Sequence, residues 1–426
     1  MWKKVRSLPP PAIIRVQLLL AIRKKSWTTL RRLAKYYRRT LARNTSVVGS
    51  VGKSTTMQAV TVALGRKVHR RARNNAESNV ALAGLRIRPF QRHAVIEVGI
   101  GEPGQMFWYA HIVQPDITIV TSIGSEHNRS LKTLEVTRSE KAEMVRILPS
   151  SGLAVFNGDD PNVLWMRGET RARVITFGFA ESNDVRATDF TYDWPNGSRF
   201  KVHANSETRV LRTRLIGRHM VYPILAAVAV SLAEGFNLDE VIPALETLEP
   251  TPGRMQTVPL ANGAIILRDD YKSSLETIDA ALDAFSEIPA GRRIVVLGEV
   301  SEPPGSQGPI YRRLGERIAE IASRAIFVAE TKAFKRYSAG AKSQGWTKDK
   351  ILHAGKSVLK VVEDLRKDLG PGDVVLVKGR DNQRLERISL ALRGRTVRCE
   401  LSFCDLKLRC DVCPMLERGH SGDVKM

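Results

Sequence analysis

Gly49-Ser50-Val51-Gly52-Lys53-Ser54-Thr55-Thr56 places glycines, a lysine and hydroxyls directly after the apolar run Ser46–Val48 and before a helical stretch. Backbone N–H groups at such a glycine turn and helix start cradle phosphates, the Lys53 ammonium neutralises phosphate charge, and the Ser54 hydroxyl can ligate Mg²⁺. The motif is shorter than the common P-loop pattern, so the competing expectation is a glycine turn beside a surface lysine. Two further candidates end apolar runs: Glu97 within Ala94–Val98, and His127 after Ile117–Thr121 and Gly124. A carboxylate at the carboxyl edge of a parallel strand faces the crevice where α/β sheets bind ligands, which makes Glu97 a candidate Mg²⁺ ligand rather than a surface acid. All four cysteines, Cys399, Cys404, Cys410 and Cys413, fall within fifteen residues near the C-terminus and close with a Cys-x₂-Cys pair. That set suits one structural, tetrahedral Zn²⁺, with an iron–sulfur cluster and metal-free reduced thiols as the alternatives.

Positioning these groups requires alternating strands and helices. Ser46–Val48, Ala94–Val98, Ile117–Thr121 and Ala154–Asn157 read as buried strands, with helices over Ser54–Leu64 and Glu135–Leu148. Such alternation predicts an α/β fold, a parallel sheet wrapped by helices. A β-rich interval, Arg173–Leu215, precedes a helix over Tyr222–Glu234 and the breaker Glu249-Pro250-Thr251-Pro252-Gly253, where a domain boundary is expected. Beyond it, Ile265–Arg268, Ile294–Leu297, Ala325–Val328 and Val374–Val377 repeat the pattern as a second, Rossmann-like α/β domain. The expected organisation is a basic arm over 1–44, a P-loop domain over 45–252, a second α/β domain over 253–395 and a cysteine-rich tail over 396–426.

With 43% apolar and 26% charged residues in 426, the chain can fill several cores and is not a disordered one. Its formal charge of +23 attracts anions without choosing among them. The excess is concentrated at one end, since no Asp or Glu precedes Glu77. After Ser26, Trp27, Leu30, Leu33, Tyr37 and Leu41 recur at helical spacing among arginines and lysines. An amphipathic helix on an anionic membrane surface is expected, with packing on the core as the alternative. The apolar run Ala12–Ile22 is too short and polar to span a bilayer. The clustered cysteines suit a reducing compartment, so the expected location is cytoplasmic, peripheral on the inner face of the membrane. No nucleic-acid module is recognisable, so no specific nucleic-acid partner is expected.

The ordered series Gly49–Thr56, Glu97-Val98-Gly99 with Pro103-Gly104, Pro115-Asp116, Gly124 with His127, Lys141 and Asn157-Gly158-Asp159-Asp160 resembles the central domain of the Mur ligases. It is most similar to the branch that adds D-alanyl-D-alanine to the muramoyl peptide. Pro252-Gly253-Arg254-Met255-Gln256, Asp269-Asp270-Tyr271, Val296-Leu297-Gly298-Glu299 and Val375-Leu376-Val377-Lys378-Gly379 resemble that family's C-terminal domain. The resemblance implies an ATP- and Mg²⁺-dependent ligase that converts a carboxylate to an acyl phosphate and passes the acyl group to an amine, both substrates being unidentified. It implies Lys53 on the β- and γ-phosphates, Ser54 and Glu97 on one Mg²⁺ and His127 on a second. Lys141 would be carbamylated and so an anionic metal partner, Arg254 would reach phosphate from the neighbouring domain, and Asp269 or Asp270 would contact the nucleotide. Gly49, Gly52 and Thr55 complete the phosphate cradle.

Three departures bear on substrates. Gly217-Arg218-His219 is followed by Met220 and Pro223 rather than an Asn-containing stretch, which touches adenine recognition. Lys272-Ser273-Ser274 and Arg380-Asp381 stand where the family has other residues on the acceptor side, suggesting a different amine. Only the basic arm precedes the P-loop, where the family has a domain for the uridine-diphosphate sugar. Ligases that make poly-γ-glutamate are then the nearest analogy, and a non-catalytic nucleotide-binding partner protein is the rival.

Overall fold

Short apolar runs form the strands and the glycines that follow them form the turns at the sheet edge. The computed structural model describes residues 43–65, 80, 83, 87, 91–125, 128–406 and 408–419. The basic arm's Trp27, Leu30, Leu33 and Tyr37 therefore lie outside the described residues, as does His127. No helix among the described residues is long and apolar enough to cross a membrane.

The first sheet contains β1 (Arg43–Val48), β2 (His93–Glu97), β3 (Ile117–Val120), β4 (Leu153–Asn157), β5 (Arg173–Gly178), β6 (Val185–Asp193), β7 (Gly197–Ala204) and β8 (Glu207–Thr213), in the order β2-β1-β3-β4-β5-β6-β7-β8. Strand β1 pairs in parallel with both β2 and β3, so the strand order reverses beside it. In open α/β sheets that reversal opens a ligand crevice at the strands' carboxyl ends. Gly49–Gly52 leads from that end of β1 into α1 (Lys53–Ala63). The expected parallel sheet runs as far as β6, and within the β-rich interval β6, β7 and β8 pair antiparallel. Their alternating burial, with one face wet, is the pattern that antiparallel strands tolerate and parallel ones do not.

Helix α2 (Gln105–Val113) and α3 (Leu134–Arg146) cover one face of this sheet. On the other, α1 packs against α4 (Val221–Ala233). Ten of the thirteen residues of α4 are buried, and its Val, Ile and Leu side chains contribute about 1.5–3 kcal/mol each on full burial. Thr133 caps α3 by accepting from Val136 N at 3.2 Å. That register puts Thr137, Lys141 and Val145, spaced by four, on the buried face.

The second sheet contains β9 (Gln256–Pro259), β10 (Ile265–Asp269), β11 (Arg292–Leu297), β12 (Arg324–Phe327), β13 (Ile351–His353) and β14 (Asp373–Lys378), ordered β13-β12-β11-β14-β10-β9 and parallel except for the edge strand β9. Helix α5 (Leu275–Glu287) leads away from β10, and α6 (Glu386–Leu392) follows β14. Separate apolar clusters fill its two faces.

Candidate active site

Gly49 and Gly52 both hold positive φ, +144° and +85°, a region open to glycine and costly for other residues. Gly52 is the residue before α1, and no side chain caps that helix and no acid lies in its first turn. The first-turn N–H groups are thus available to an anion. Lys53 folds back over the loop, donating to Gly49 O at 2.7 Å and Ser50 O at 2.8 Å. Burial lowers its ammonium to about 8, with Glu97 opposing the shift. Thr55 and Thr56 are buried against the same cavity.

Ser54 Oγ donates to Glu97 Oε2 at 2.7 Å, bringing a hydroxyl from the start of α1 and a carboxylate from the end of β2 to one point. Lys141 is 3% exposed, and its Nζ donates to Ser50 Oγ at 2.7 Å from beneath the phosphate loop. A solvated helix lysine paired with Glu140 or Glu143 is excluded: Glu140 accepts from Gly104 N and Glu143 from Arg146. Burial, reinforced by Lys53, drives the Lys141 amine well below the usual lysine value.

The second sheet supplies the opposite wall. Arg254 Nη2 lies 3.4 Å from Ser54 Oγ, and its guanidinium stacks over the Tyr271 ring. Glu276 Oε1 accepts from Ser125 N at 2.7 Å, a second bridge between the two sheets' loops. Asp269 faces the shared cavity, accepting from Lys378 Nζ at 2.6 Å and Met255 N at 3.2 Å. Asp270 turns away: both its oxygens accept from Arg268, at 3.0 Å each. Of the two aspartates, the geometry brings only Asp269 to the cleft.

The cavity between the sheets has a volume of about 260 Å³. Its lining includes Val51, Gly52, Thr55 and Arg254 from the phosphate loop and the second domain, and Asn157, Asp159, Phe177, Met220, Tyr222 and Pro223. Phe177, Tyr222 and Pro223 give the lining apolar surface, and the Asn157 amide donates to Thr121 O at 2.9 Å and accepts from Asp159 N at 3.1 Å. Asp159 is held there by Tyr222 OH at 3.0 Å and by Phe179 N and Ala180 N. His219 also lines the cavity, and burial lowers its pKa.

Lys378 and Glu276 reach this cavity without having been singled out as site residues, and Lys272, expected on the acceptor side, joins them. Lys378 carried the signal that identified Glu97, a charge ending an apolar strand. It is 1% exposed and also donates to Lys272 O at 2.6 Å. Lys272 is brought in by the turn after β10, and its ammonium falls to about 7, chiefly through burial and then through Lys53.

The cysteine tail differs from expectation. Among the described residues no three of His, Cys, Asp and Glu form a group that could hold a metal ion, so the expected zinc site gains no support. The four thiols are unpaired and line a common cavity against α6. Burial, with Glu386 adding to it, pushes the Cys410 thiol up.

The model of the Mur ligase middle domain matches residues 47–231, and that of the Mur ligase, glutamate ligase domain matches 253–380. A UDP-N-acetylmuramoyl-tripeptide–D-alanyl-D-alanine ligase of Mycobacterium bovis is 30% identical over 366 residues, covering 81% of this chain and 72% of that protein. The Escherichia coli protein of the same name is 25% identical over 366 residues, covering 83% and 77%. MurF from Acinetobacter baumannii superposes with a TM-score of 0.76 at 22% identity, covering 87% of this chain and 81% of that one. A MurF ligase of Thermotoga maritima in complex with ADP gives 0.74 at 24% identity, covering 86% and 83%. With both domain models matched in order across the two sheets that build the cleft, the chain belongs to the Mur ligase family of ATP-dependent, peptide-bond-forming ligases.

Proposed function

We propose that the cleft activates a substrate carboxylate with ATP and passes the acyl group to an amine. A carboxylate oxygen attacks the γ-phosphorus and ADP leaves. The amine nitrogen then attacks the acyl carbon, phosphate departs and the nitrogen loses its proton. The observation that carries this assignment is the approach of Arg254 to Ser54 across the cleft, which sets cations from two domains around the phosphate seat. Lys53 and Arg254 would hold the transferring phosphoryl group in line, and positioning with charge stabilisation supplies most of the rate in such reactions. The base would sit between Phe177, Tyr222 and Pro223.

Ser54 and Glu97 fit Mg²⁺, because they present hard oxygen donors side by side next to the phosphate seat and leave positions for phosphate oxygens and water. Bound there, the ion would neutralise phosphate charge. Lys141, as a carbamate, would add an anionic oxygen donor. The relatives' names specify a muramoyl tripeptide and D-alanyl-D-alanine. Lys272 in the cleft is the feature of this chain that supports a different acceptor. The basic arm supports peripheral attachment to anionic membrane through its charge pattern alone.

The test is ATP-dependent phosphate release by the full chain with paired pools of acids and amines, with hydroxylamine added to trap acyl phosphate. Release requiring an acid, and hydroxamate formation, are expected. Nucleotide binding without turnover on any pair would overturn the assignment in favour of a non-catalytic partner. Ser54→Ala should raise the Mg²⁺ concentration for half-maximal rate by about tenfold, since it removes one donor from an ion held by few protein oxygens. An unchanged Mg²⁺ requirement refutes that role.

A pH dependence follows from the two depressed lysines. Lys272 is charged below about 7 and Lys53 below about 8. Their attraction for phosphate is therefore full at lower pH and fades as pH rises through those values. ADP affinity measured by calorimetry should weaken across that window, and Lys272→Met should remove the lower inflection. An inflection retained in Lys272→Met assigns it to another group.

A further inference from the structure

We propose that Cys399, Cys404, Cys410 and Cys413 hold an iron–sulfur cluster in the cavity they share. The proposal is independent of the ligase assignment. All four thiols border one cavity of about 230 Å³. A single zinc ion needs every sulfur about 2.3 Å from one point, which draws the thiolates together. Among the described residues no three potential ligands converge in that way. In a cluster each cysteine binds its own iron atom or shares a small iron–sulfide core, so the sulfurs stand apart around a volume that the core fills. Four cysteines lining one cavity are the ligand set that such a core takes.

Charge gives an independent indication. Arg387 lines the same cavity and is 1% exposed. It donates to the main-chain carbonyls of Gln383, Arg384, Cys399 and Leu401, and its Nη1 lies 3.6 Å from Cys399 Sγ. No carboxylate among the described residues forms an ion pair with it. A buried cation without a counter-ion is costly. Four thiolates on a cluster make the site a net anion, which Arg387 would balance while hydrogen bonding to a ligand sulfur. Leu401 and Leu416 close the cavity with apolar surface, shielding a cluster from water.

The tail is also tied to the catalytic sheet. Glu386 accepts from Cys410 N at 2.7 Å and from Arg268 Nη2 at 3.3 Å, and Arg268 holds Asp270 beside Asp269. A cluster that fixes the Cys410 turn would thereby brace the end of β10.

The full chain, purified without oxygen from iron-replete cells, should carry iron and acid-labile sulfide in equal amounts, with more than one iron per chain. It should show a broad visible band that bleaches with dithionite. Cys413→Ser should lose most of both elements. If that variant fails to fold, anaerobic reconstitution of metal-stripped native chain with ferrous iron and sulfide decides the matter, and recovery of the band is expected. One zinc per chain without labile sulfide overturns the proposal. So does native chain that takes up neither iron nor sulfide on reconstitution.

Discussion

Lys141→Ala lowers ATP-dependent amide formation by about 10²–10³-fold, the range for removing one preorganised charge-stabilising group, and added formate or acetate restores part of the rate. The expectation begins with burial. Lys141 is 3% exposed on the inner face of α3, and its Nζ donates to Ser50 Oγ. Burial and then the neighbouring Lys53 hold its amine well below the usual value, so the proton is readily lost. A neutral amine adds to carbon dioxide, forming an N–C bond and releasing a proton, and the product is a carbamate. A retained ammonium would place a further cation close to Lys53 and Arg254, where Ser54 and Glu97 suit a divalent cation. Carbamylation reverses the sign and supplies an oxygen donor. Small carboxylates can replace a lost carbamate and cannot replace a lost ammonium. Full activity of a folded Lys141→Ala, or rescue by small amines instead of carboxylates, sinks the assignment.

The strands and the phosphate loop were legible because their physics is local. Apolar runs such as Ser46–Val48 and Ile117–Thr121 register as buried strands wherever they lie, and β1 and β3 occupy those positions. Glu97 was legible because a carboxylate ending such a run has few structural uses. The same rule would have marked Lys378 at the end of β14, yet its site role depends on how the two sheets face each other. That relation leaves no periodic trace. For the same reason sequence could not separate Asp269 from Asp270: adjacent residues on a strand end point to opposite sides, and Arg268 captures one of them. The antiparallel β6–β8 segment was read as β-rich without its direction, which turn geometry and pairing decide. For the cysteines, spacing pointed to a common metal site, and what the fold shows is that the four line one cavity. How the four thiols are placed depends on the backbone between them and on Arg387, which lines the same cavity and donates to the carbonyls of Cys399 and Leu401.

Gly49→Ala should abolish measurable nucleotide binding and destabilise the chain by about 3 kcal/mol, within the upper range of single substitutions that strain the backbone. Two costs combine. The native φ of +144° is one that alanine adopts only with strain, about 1–3 kcal/mol. The new Cβ would also collide with Thr121 Oγ1 and lie 3.0 Å from Ser122 N. Thr121 cannot swing aside freely, because its hydroxyl donates to Val51 O at 2.6 Å and lies 3.2 Å from Val48 O, linking β3 to the loop. The loop must therefore move as a unit, pulling Ser50 N away from Ser122 O and disturbing the carbonyls that hold Lys53. These are the atoms that shape the phosphate seat, so binding is lost along with stability. Pairing the substitution with Thr121→Ala removes the closest overlap and leaves the φ strain and the approach to Ser122. The double variant should thus recover about 1 kcal/mol relative to additivity, as expected for side chains in direct contact, but little nucleotide affinity. Denaturant unfolding and ADP titration of the single and double variants measure both quantities. A Gly49→Ala chain with native stability and affinity would show that the loop tolerates a Cβ there, and the phosphate seat would have to be placed elsewhere.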